Sequence, residues 1–182
     1  MTEADAANPP PPFRERLTWD PDRGEIRDGE IRYLMMRADA LMGVLHHLPA
    51  EMRGAVLSAF AASVQAHGGG SARKYRQMGA GAPDALLQVI AATAPQLGWG
   101  AWRFVGSGAG RLELEVANSP FAAGHGPSDG PVCGPVAGML AAVAEMVLER
   151  PARVRETACA AAGAPACRFE ALPEPAAGEG AR

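Results

Sequence analysis

The chain has 182 residues, a formal net charge of −3 at pH 7 and 48% hydrophobic residues. This length is enough for one domain with its own core, and the charge gives no electrostatic basis for binding nucleic acid or an anionic membrane surface. Charged residues interrupt each apolar run before it reaches bilayer-spanning length, and the N-terminus lacks the basic-then-apolar order of a signal peptide. We therefore predict a cytoplasmic protein with reduced cysteines and no membrane span.

The two ends of the chain are expected to lie outside the folded domain. Residues 1–14 include four consecutive prolines, Pro9 to Pro12, which favour an extended polyproline segment. Residues 173–182 are rich in proline, alanine and glycine, a composition typical of a disordered end. We predict a disordered tail at each end and one domain over residues 15–172.

The first part of the domain is predicted to contain two strands and a series of helices. Leu17–Asp20 and Glu30–Leu34 have the composition of strands, and this β element either caps a pocket or pairs with a second subunit. Apolar residues at helical spacing follow, and the second helix is predicted to stop at Gly68–Gly70, because consecutive glycines break helices. The four predicted helical pieces begin near Asp39, Pro49, Ser71 and Pro83.

An antiparallel hairpin is predicted after these helices. Trp99–Val105 and Arg111–Val116 alternate apolar and polar residues and are separated by a glycine-rich turn. Glu113 and Glu115 share the polar face; paired carboxylates fit acid–base catalysis, but a solvated sheet face is the favoured interpretation. The next segment, Asn118–Gly130, is predicted to be a loop, and it either gates a ligand or is a plain surface connection.

All three cysteines of the chain lie in its last third. A helix is predicted to begin at Pro131, with Cys133 in its first turn, where the helix dipole and unpaired N–H groups favour a thiolate. Cys159 and Cys167 lie four residues on either side of Gly163, so a turn centred there places them opposite each other across a hairpin. Because strand alternation assigns these two cysteines to opposite faces, the pairing requires a bulge or a shifted turn.

Three chemical interpretations of these thiols stay open. Three thiolates that meet at one point form a soft ligand set, and zinc is the commonest occupant of such a site. Three small buried hydrophobic side chains explain the same residues, because free cysteine is among the most buried residue types. A disulfide between Cys159 and Cys167 is geometrically open but needs an oxidising compartment.

Four short motifs around the cysteines resemble the 4-vinyl reductase domain family. That family includes sensory domains of phenol- and xylene-responsive activators, an accessory protein of bacteriochlorophyll synthesis and stand-alone hydrocarbon-binding proteins. The resemblance extends from about Gly29 to Ala171, and its motifs are Asn118–Phe121, Pro131–Cys133, Glu156–Cys159 and Cys167–Phe169. The predicted hairpins and helices give an α+β fold in which an antiparallel sheet of about four strands packs on helices, and the resemblance implies likeness to the TRAPP-subunit fold.

The resemblance also implies a zinc site. Aromatic-sensing members of the family bind zinc through three cysteines and one glutamate beside a buried pocket, and Cys133, Cys159 and Cys167 match the three thiols. The family's glutamate lies in the segment after the second long strand, where this sequence has no carboxylate. The fourth position stays open between His125, Asp129, water and no ligand, with His125 as the predicted side chain.

An apolar pocket between the sheet and the helices is the predicted ligand site, although the same side chains also fit a packed core. The candidate pocket residues are Trp102, Phe104, Phe121, Tyr75, Met139 and Phe169. We expect them to bind an apolar, aromatic or lipid-like molecule, with a structural zinc ion beside them.

The predicted function is that of a carrier or sensor that works through a protein partner, rather than that of an enzyme. The sequence has no ATPase loop, no DNA-reading domain and no flavin or nicotinamide signature. The resemblance implies a homodimer. It also leaves two alternatives open, which are an accessory protein or reductase in bacteriochlorophyll and tetrapyrrole synthesis, and a dimeric scaffold without a ligand.

Overall fold

A computed structural model describes residues 11–77, 79–108 and 110–175. Most of each predicted tail, residues 1–10 and 176–182, lies outside the described residues. Two residues assigned to the N-terminal tail, Phe13 and Arg14, belong to helix α1 (Phe13–Arg16). Phe13 is buried and packs edge-to-face on Tyr33, with 5.2 Å between the ring centroids. The ordered chain therefore begins before the predicted domain boundary.

Three short strands form a small antiparallel meander at the N-terminal end. They are β1 (Thr18–Asp20), β2 (Glu25–Asp28) and β3 (Ile31–Tyr33), in that order across the sheet. Strand β2 was not predicted because three of its four residues are charged, which hides the apolar pattern of a strand. Arg16 donates to Asp28 at 3.0 Å and to the Tyr75 hydroxyl at 2.9 Å, so the meander is joined to α1 and to the helical layer.

The helical layer contains one much longer helix than expected. Its helices are α2 (Ala38–Gly43), α3 (Ala50–Gln77), α4 (Pro83–Thr93), α5 (Pro120–His125) and α6 (Gly134–Leu148). Short 3-10 turns follow α2 and α4. The predicted stop at Gly68–Gly70 is wrong, because α3 continues through these glycines and includes the separate helix predicted from Ser71. Among the helices in the described part of the chain, none combines the length and the apolar character needed to cross a bilayer.

The glycines within α3 mark its contact with α6. A Cβ atom at Gly69 would lie 3.2 Å from the Cβ atom of Ala142, and one at Gly68 would overlap the side chain of Met139. On the other helix, a Cβ atom at Gly138 would overlap the backbone carbonyl of Ala61. The close approach of the two helices compensates for the roughly 1 kcal/mol by which each glycine weakens a helix relative to alanine.

The main sheet confirms the predicted α+β fold with four antiparallel strands. Its strands are β4 (Ala101–Gly108), β5 (Arg111–Ala117), β6 (Ala152–Ala158) and β7 (Cys167–Pro173), in the order β4-β5-β7-β6. The inner face buries Leu114 and Phe169 against the helices. On the outer face, Glu115 binds Arg103 at 2.6 Å and Arg168 at 2.9 Å, as expected for a solvated face stabilised by ion pairs.

The segment predicted as a loop, Asn118–Gly130, contains helix α5. Ser119 is its N-cap, and the Ser119 hydroxyl accepts a hydrogen bond from the amide of Ala122 at 3.4 Å. Serine followed by Pro120 is a standard helix start, but the six-residue helix is too short to show an apolar period. Gly124 lies so close to the carbonyl of Ala38 that a Cβ atom there would overlap it, so α5 packs tightly on α2.

Candidate metal centre and apolar cavity

The three cysteines converge where α6 meets the β6–β7 hairpin. Cys133 is the N-cap of α6, Cys159 directly follows β6, and Cys167 is the first residue of β7. All three side chains are buried, and the Sγ atoms of Cys133 and Cys167 lie 3.6 Å apart. The predicted start of α6 at Pro131 is wrong: Pro135 occupies the first turn instead, which leaves Cys133 just outside the helix.

An irregularity in the hairpin brings Cys159 to the inner side of the sheet. The register between β6 and β7 shifts between Glu156 and Ala158, so that Glu156 lies opposite Phe169 and Ala158 lies opposite Arg168. One residue is thereby added to β6, and the side chain that follows changes faces. The predicted need for a bulge between the two cysteines is confirmed.

The same irregularity brings in Glu156, which the sequence reasoning missed. The ligand atoms of Glu156 and the three cysteines all lie within 4.8 Å of one another. Regular alternation separates residues 156 and 159 onto opposite faces, so this carboxylate was not considered although it lies in the motif that begins at Glu156. The only available signal was a buried-side carboxylate three residues before a cysteine.

The expectation that His125 supplies the fourth ligand is corrected by this arrangement. His125 ends α5 and stacks on His46, with 4.5 Å between ring centroids, and its carbonyl oxygen lies 2.8 Å from Nε2 of His46. Asp129 is exposed. Neither residue belongs to the group of four ligand atoms. Glu156 takes this place because it lies in the strand that ends at Cys159.

The protons of the cluster are shared among its sulfur atoms. Hydrogen bonds from Cys133 and Cys167 lower the pKa of Cys159 far below that of a free thiol. The hydrogen bonds with Cys159 and Cys167, together with burial, raise the pKa of Cys133. The bond with Cys133 lowers the pKa of Cys167, but the bond with Cys159 and burial outweigh it and raise the pKa to about 11. The cluster thus favours one thiolate, at Cys159, between two thiols.

Burial also acts on the carboxyl group of Glu156. Removal from water, followed by its hydrogen bond with Cys159, raises the pKa of Glu156 to about 8. One oxygen, Oε2, accepts a hydrogen bond from the Cys133 amide at 3.0 Å. The other, Oε1, is buried and has no hydrogen-bond partner among the described residues. An unpaired buried carboxylate oxygen is costly, so this atom points to a missing partner.

These four donors fit a zinc ion. Zinc prefers four ligands in tetrahedral geometry, and two sulfur atoms each about 2.3 Å from the ion lie about 3.8 Å apart. The 3.6 Å between Cys133 and Cys167 is close to that value. A cation also supplies the partner that Glu156 Oε1 lacks. The sulfur atoms have supporting contacts, since the Ser119 hydroxyl lies 3.3 Å from Cys133 Sγ and the Ala160 amide donates to Cys167 Sγ at 3.3 Å.

The predicted pocket residues are mostly packed against one another. Trp102 and Met139 line an apolar cavity of about 30 Å³, together with Trp99 and Leu97. Phe121 is buried beside this cavity and packs edge-to-face on Trp99, with 5.1 Å between ring centroids. This volume holds one or two water molecules rather than an aromatic ring.

The other three predicted pocket residues lie away from this cavity. Phe169 is buried in the inner face of the sheet, and Phe104 is half-buried against the core. Tyr75 is buried at the end of α3, where its hydroxyl accepts a hydrogen bond from Arg16. Trp99 and Leu97 were not predicted, because both lie in a connection where no periodic pattern marks a buried side.

The family model for the 4-vinyl reductase domain matches residues 112–173. The chain carries a 4-vinyl reductase domain. The matched region contains Cys133, Glu156, Cys159 and Cys167, and the predicted resemblance to this family is confirmed.

One relative of the chain is the bacteriochlorophyll synthase 23 kDa chain of Cereibacter sphaeroides. The two are 44% identical over 79 residues, which is 40% of this chain and 38% of that protein. This chain therefore spans less than half the length of that relative.

Two solved structures share the fold of this chain. The phenol-responsive sensory domain of the transcription activator PoxR, solved with phenol, has a TM-score of 0.74 and 20% identity over 88% of this chain and 86% of that chain. A trafficking protein particle complex subunit 3 from Naegleria fowleri, covalently bound to palmitic acid, has a TM-score of 0.51 and 11% identity over 76% and 95%. The likeness to the TRAPP-subunit fold is thereby confirmed.

Proposed function

We propose that this chain is a binding module for an apolar small molecule, and that a structural zinc ion holds the wall of its ligand cavity. It acts as a carrier or sensor through a protein partner rather than as an enzyme. The observation that carries this proposal is the convergence of four buried ligand atoms, from Cys133, Glu156, Cys159 and Cys167, at one corner of the domain.

Zinc bound by these four residues provides a closed cross-link without redox chemistry. Cys133 precedes α6, and Cys159 and Cys167 flank the turn of the β6–β7 hairpin, so the site ties the helical layer to the sheet. The same helix carries Met139, which lines the inner cavity. Fixing the start of α6 therefore also fixes one wall of that cavity.

The cavity supports an apolar ligand by its lining rather than by its size. Trp99, Trp102, Leu97 and Met139 offer apolar surface, and Thr93 supplies the one polar side chain among the lining residues. The volume between them, about 30 Å³, is too small for a phenol ring. Met139 is the side chain best suited to move aside, because an unbranched methionine has three rotatable bonds.

The metal is tested by measuring zinc per chain in protein purified without tags. We expect one zinc per chain, and a large loss of zinc in Cys159→Ser. Ser58→Ala, an exposed serine on α3, serves as the control and should keep the metal. Absence of stoichiometric zinc from the unaltered protein would rule out the site.

The ligand is tested by native mass spectrometry after gentle purification, followed by titration with phenols, fatty acids and porphyrins. We expect a co-purified apolar molecule or saturable binding of at least one of these classes. An empty protein that binds none of them contradicts the binding module and leaves a scaffold without ligand as the better account.

A second candidate function is that of an accessory protein in tetrapyrrole synthesis. The observation that favours it is the 44% identity, over 79 residues, to a chain named for bacteriochlorophyll synthesis. Porphyrin binding with no binding of phenols or fatty acids supports this candidate. Reduction of a vinyl group in the presence of a supplied reductant would extend it to catalysis.

A further inference from the structure

A second, larger cavity opens at the surface beside the N-terminal meander. Its volume is about 480 Å³, within the usual range for small-molecule sites. Its apolar lining comes from Phe13, Leu17, Trp19, Tyr33, Leu34 and Met35. Trp19 is 61% exposed, Leu34 72% and Met35 78%, so large apolar side chains face solvent here. Apolar side chains grouped in this way indicate a binding surface.

This surface groove and the inner cavity share one residue. Leu97, in the 3-10 turn after α4, lines both of them. The adjoining Gly98 lines the groove, and Trp99 lines the inner cavity. A single side chain at a helix end thus separates about 480 Å³ of open groove from the enclosed apolar space under Trp102.

The polar residues of the groove carry one sign of charge. Arg14 and Gln96 line it, and the backbone amide of Arg14 donates to the side chain of Gln96 at 3.1 Å. No aspartate or glutamate belongs to the described lining. A guanidinium and an amide without a neighbouring carboxylate complement an anionic group, and a carboxylate matches the fork of an arginine.

We propose that this groove is the entrance vestibule for an apolar ligand bearing a carboxylate. The inference rests on the proposed binding of an apolar small molecule. Arg14 binds the carboxylate at the rim, the apolar body covers Trp19 and Met35, and Leu97 separates the vestibule from the inner cavity. Fatty acids and tetrapyrrole acids share this chemistry, and they differ in shape.

The three tryptophans allow a direct test with the full chain. Trp19 lines the vestibule, whereas Trp99 and Trp102 line the inner cavity. Brominated palmitate quenches tryptophan on contact, so its titration into Trp19→Phe and into a Trp99→Phe/Trp102→Phe double variant reports each space separately. Protoporphyrin IX provides the flat carboxylate, and the matching brominated fatty alcohol provides the probe without charge.

The expected result is saturable 1:1 quenching of Trp19 by the carboxylate probe. Arg14→Glu should weaken carboxylate binding about fivefold and leave alcohol binding unchanged, as for the loss of an exposed charge pair. Arg153→Glu, an exposed arginine on β6, is the matched control. In Leu97→Ala the delay between outer and inner quenching should be lost, whereas Leu48→Ala, another half-buried leucine, should keep it.

Three results would overturn the vestibule. Quenching of Trp99 and Trp102 alone, with no effect of Arg14→Glu, removes the vestibule but keeps the binding module. No binding of any apolar probe removes both. A dimer in sedimentation velocity that becomes monomeric in Met35→Glu, with probe binding unchanged, assigns the groove to a second copy of the chain.

Discussion

Glu156 and Ser119 act on the cluster at the scale of single residues. Glu156 supplies a carboxylate whose Oε1 atom lacks a partner, while its Oε2 atom is held by the Cys133 amide. Ser119 contacts the sulfur of Cys133 and also caps α5. One residue is thus placed to bind the metal directly, and the other to orient a ligand and a helix together.

Glu156→Gln keeps the shape of the side chain and removes its charge. We expect zinc affinity to fall by at least about 100-fold, because even partners outside the ligand set are worth 10- to 100-fold. Competition with a chromophoric chelator measures the change. Glu113→Gln, on the outer face of the sheet, is the control. Equal affinity in Glu156→Gln and the unaltered protein would show that the carboxylate is not a ligand.

Ser119→Ala removes the hydroxyl from both the Cys133 sulfur and the start of α5. We expect a loss of about 1 kcal/mol in the free energy of unfolding, typical of an N-cap, and zinc binding weaker by about tenfold. Urea unfolding and the sulfur-to-metal absorption of the cobalt-substituted protein measure these effects. A stability loss without any change in the cobalt spectrum would limit Ser119 to the role of a cap.

Helices α3 and α6 form the central pair at the scale of secondary-structure elements. Gly134 and Gly138, one helical turn apart on α6, lie against the carbonyls of Leu57 and Ala61, one turn apart on α3. This contact needs backbone-to-backbone approach and tolerates no side chain on either glycine. It determines where α6 begins and therefore where Cys133 lies.

Gly138→Ala places a methyl group against the carbonyl of Ala61 and should separate the two helices. We expect a loss of about 2 kcal/mol in the free energy of unfolding, as for other overpacked cores. Gly54→Ala, at an open position on α3, should instead stabilise the protein by about 0.5–1 kcal/mol. Chemical denaturation measures both. Equal effects of the two variants would contradict the close packing.

At the scale of the whole molecule, two layers are held together at one corner by the cluster. The helices cover only the inner face of the β4-β5-β7-β6 sheet, and its outer face is covered by ion pairs such as Glu115 with Arg103. A metal that binds the folded chain but not the unfolded one stabilises the whole domain by mass action.

Removal of the metal should therefore lower the Tm of the unaltered protein. Zinc at about 1,000 times its dissociation constant contributes about 4 kcal/mol, which corresponds to roughly 10 °C for a domain of this size. Scanning calorimetry with and without a chelator measures the shift. Cys159→Ser should show no shift with chelator. An unchanged Tm in the unaltered protein would contradict a stabilising metal.

The sequence by itself determined the layers of the fold and the three sulfur atoms of the site. Alternation along β5 and the turn at Gly163 mark strands through local steric and solvation preferences, which a short stretch of residues expresses without help from the rest of the chain. Motifs around the cysteines sufficed to identify their family.

Only the tertiary structure decided the continuity of α3, the presence of Glu156 in the cluster and the separation of the inner cavity from the surface groove. Glycines at 68–70 break an isolated helix, but here they allow close packing on α6. Glu156 and Cys159 share one side only because β6 gains a residue against β7. In each case the deciding contact joins segments far apart in the sequence, and its free energy exceeds the local preference that the sequence pattern expresses.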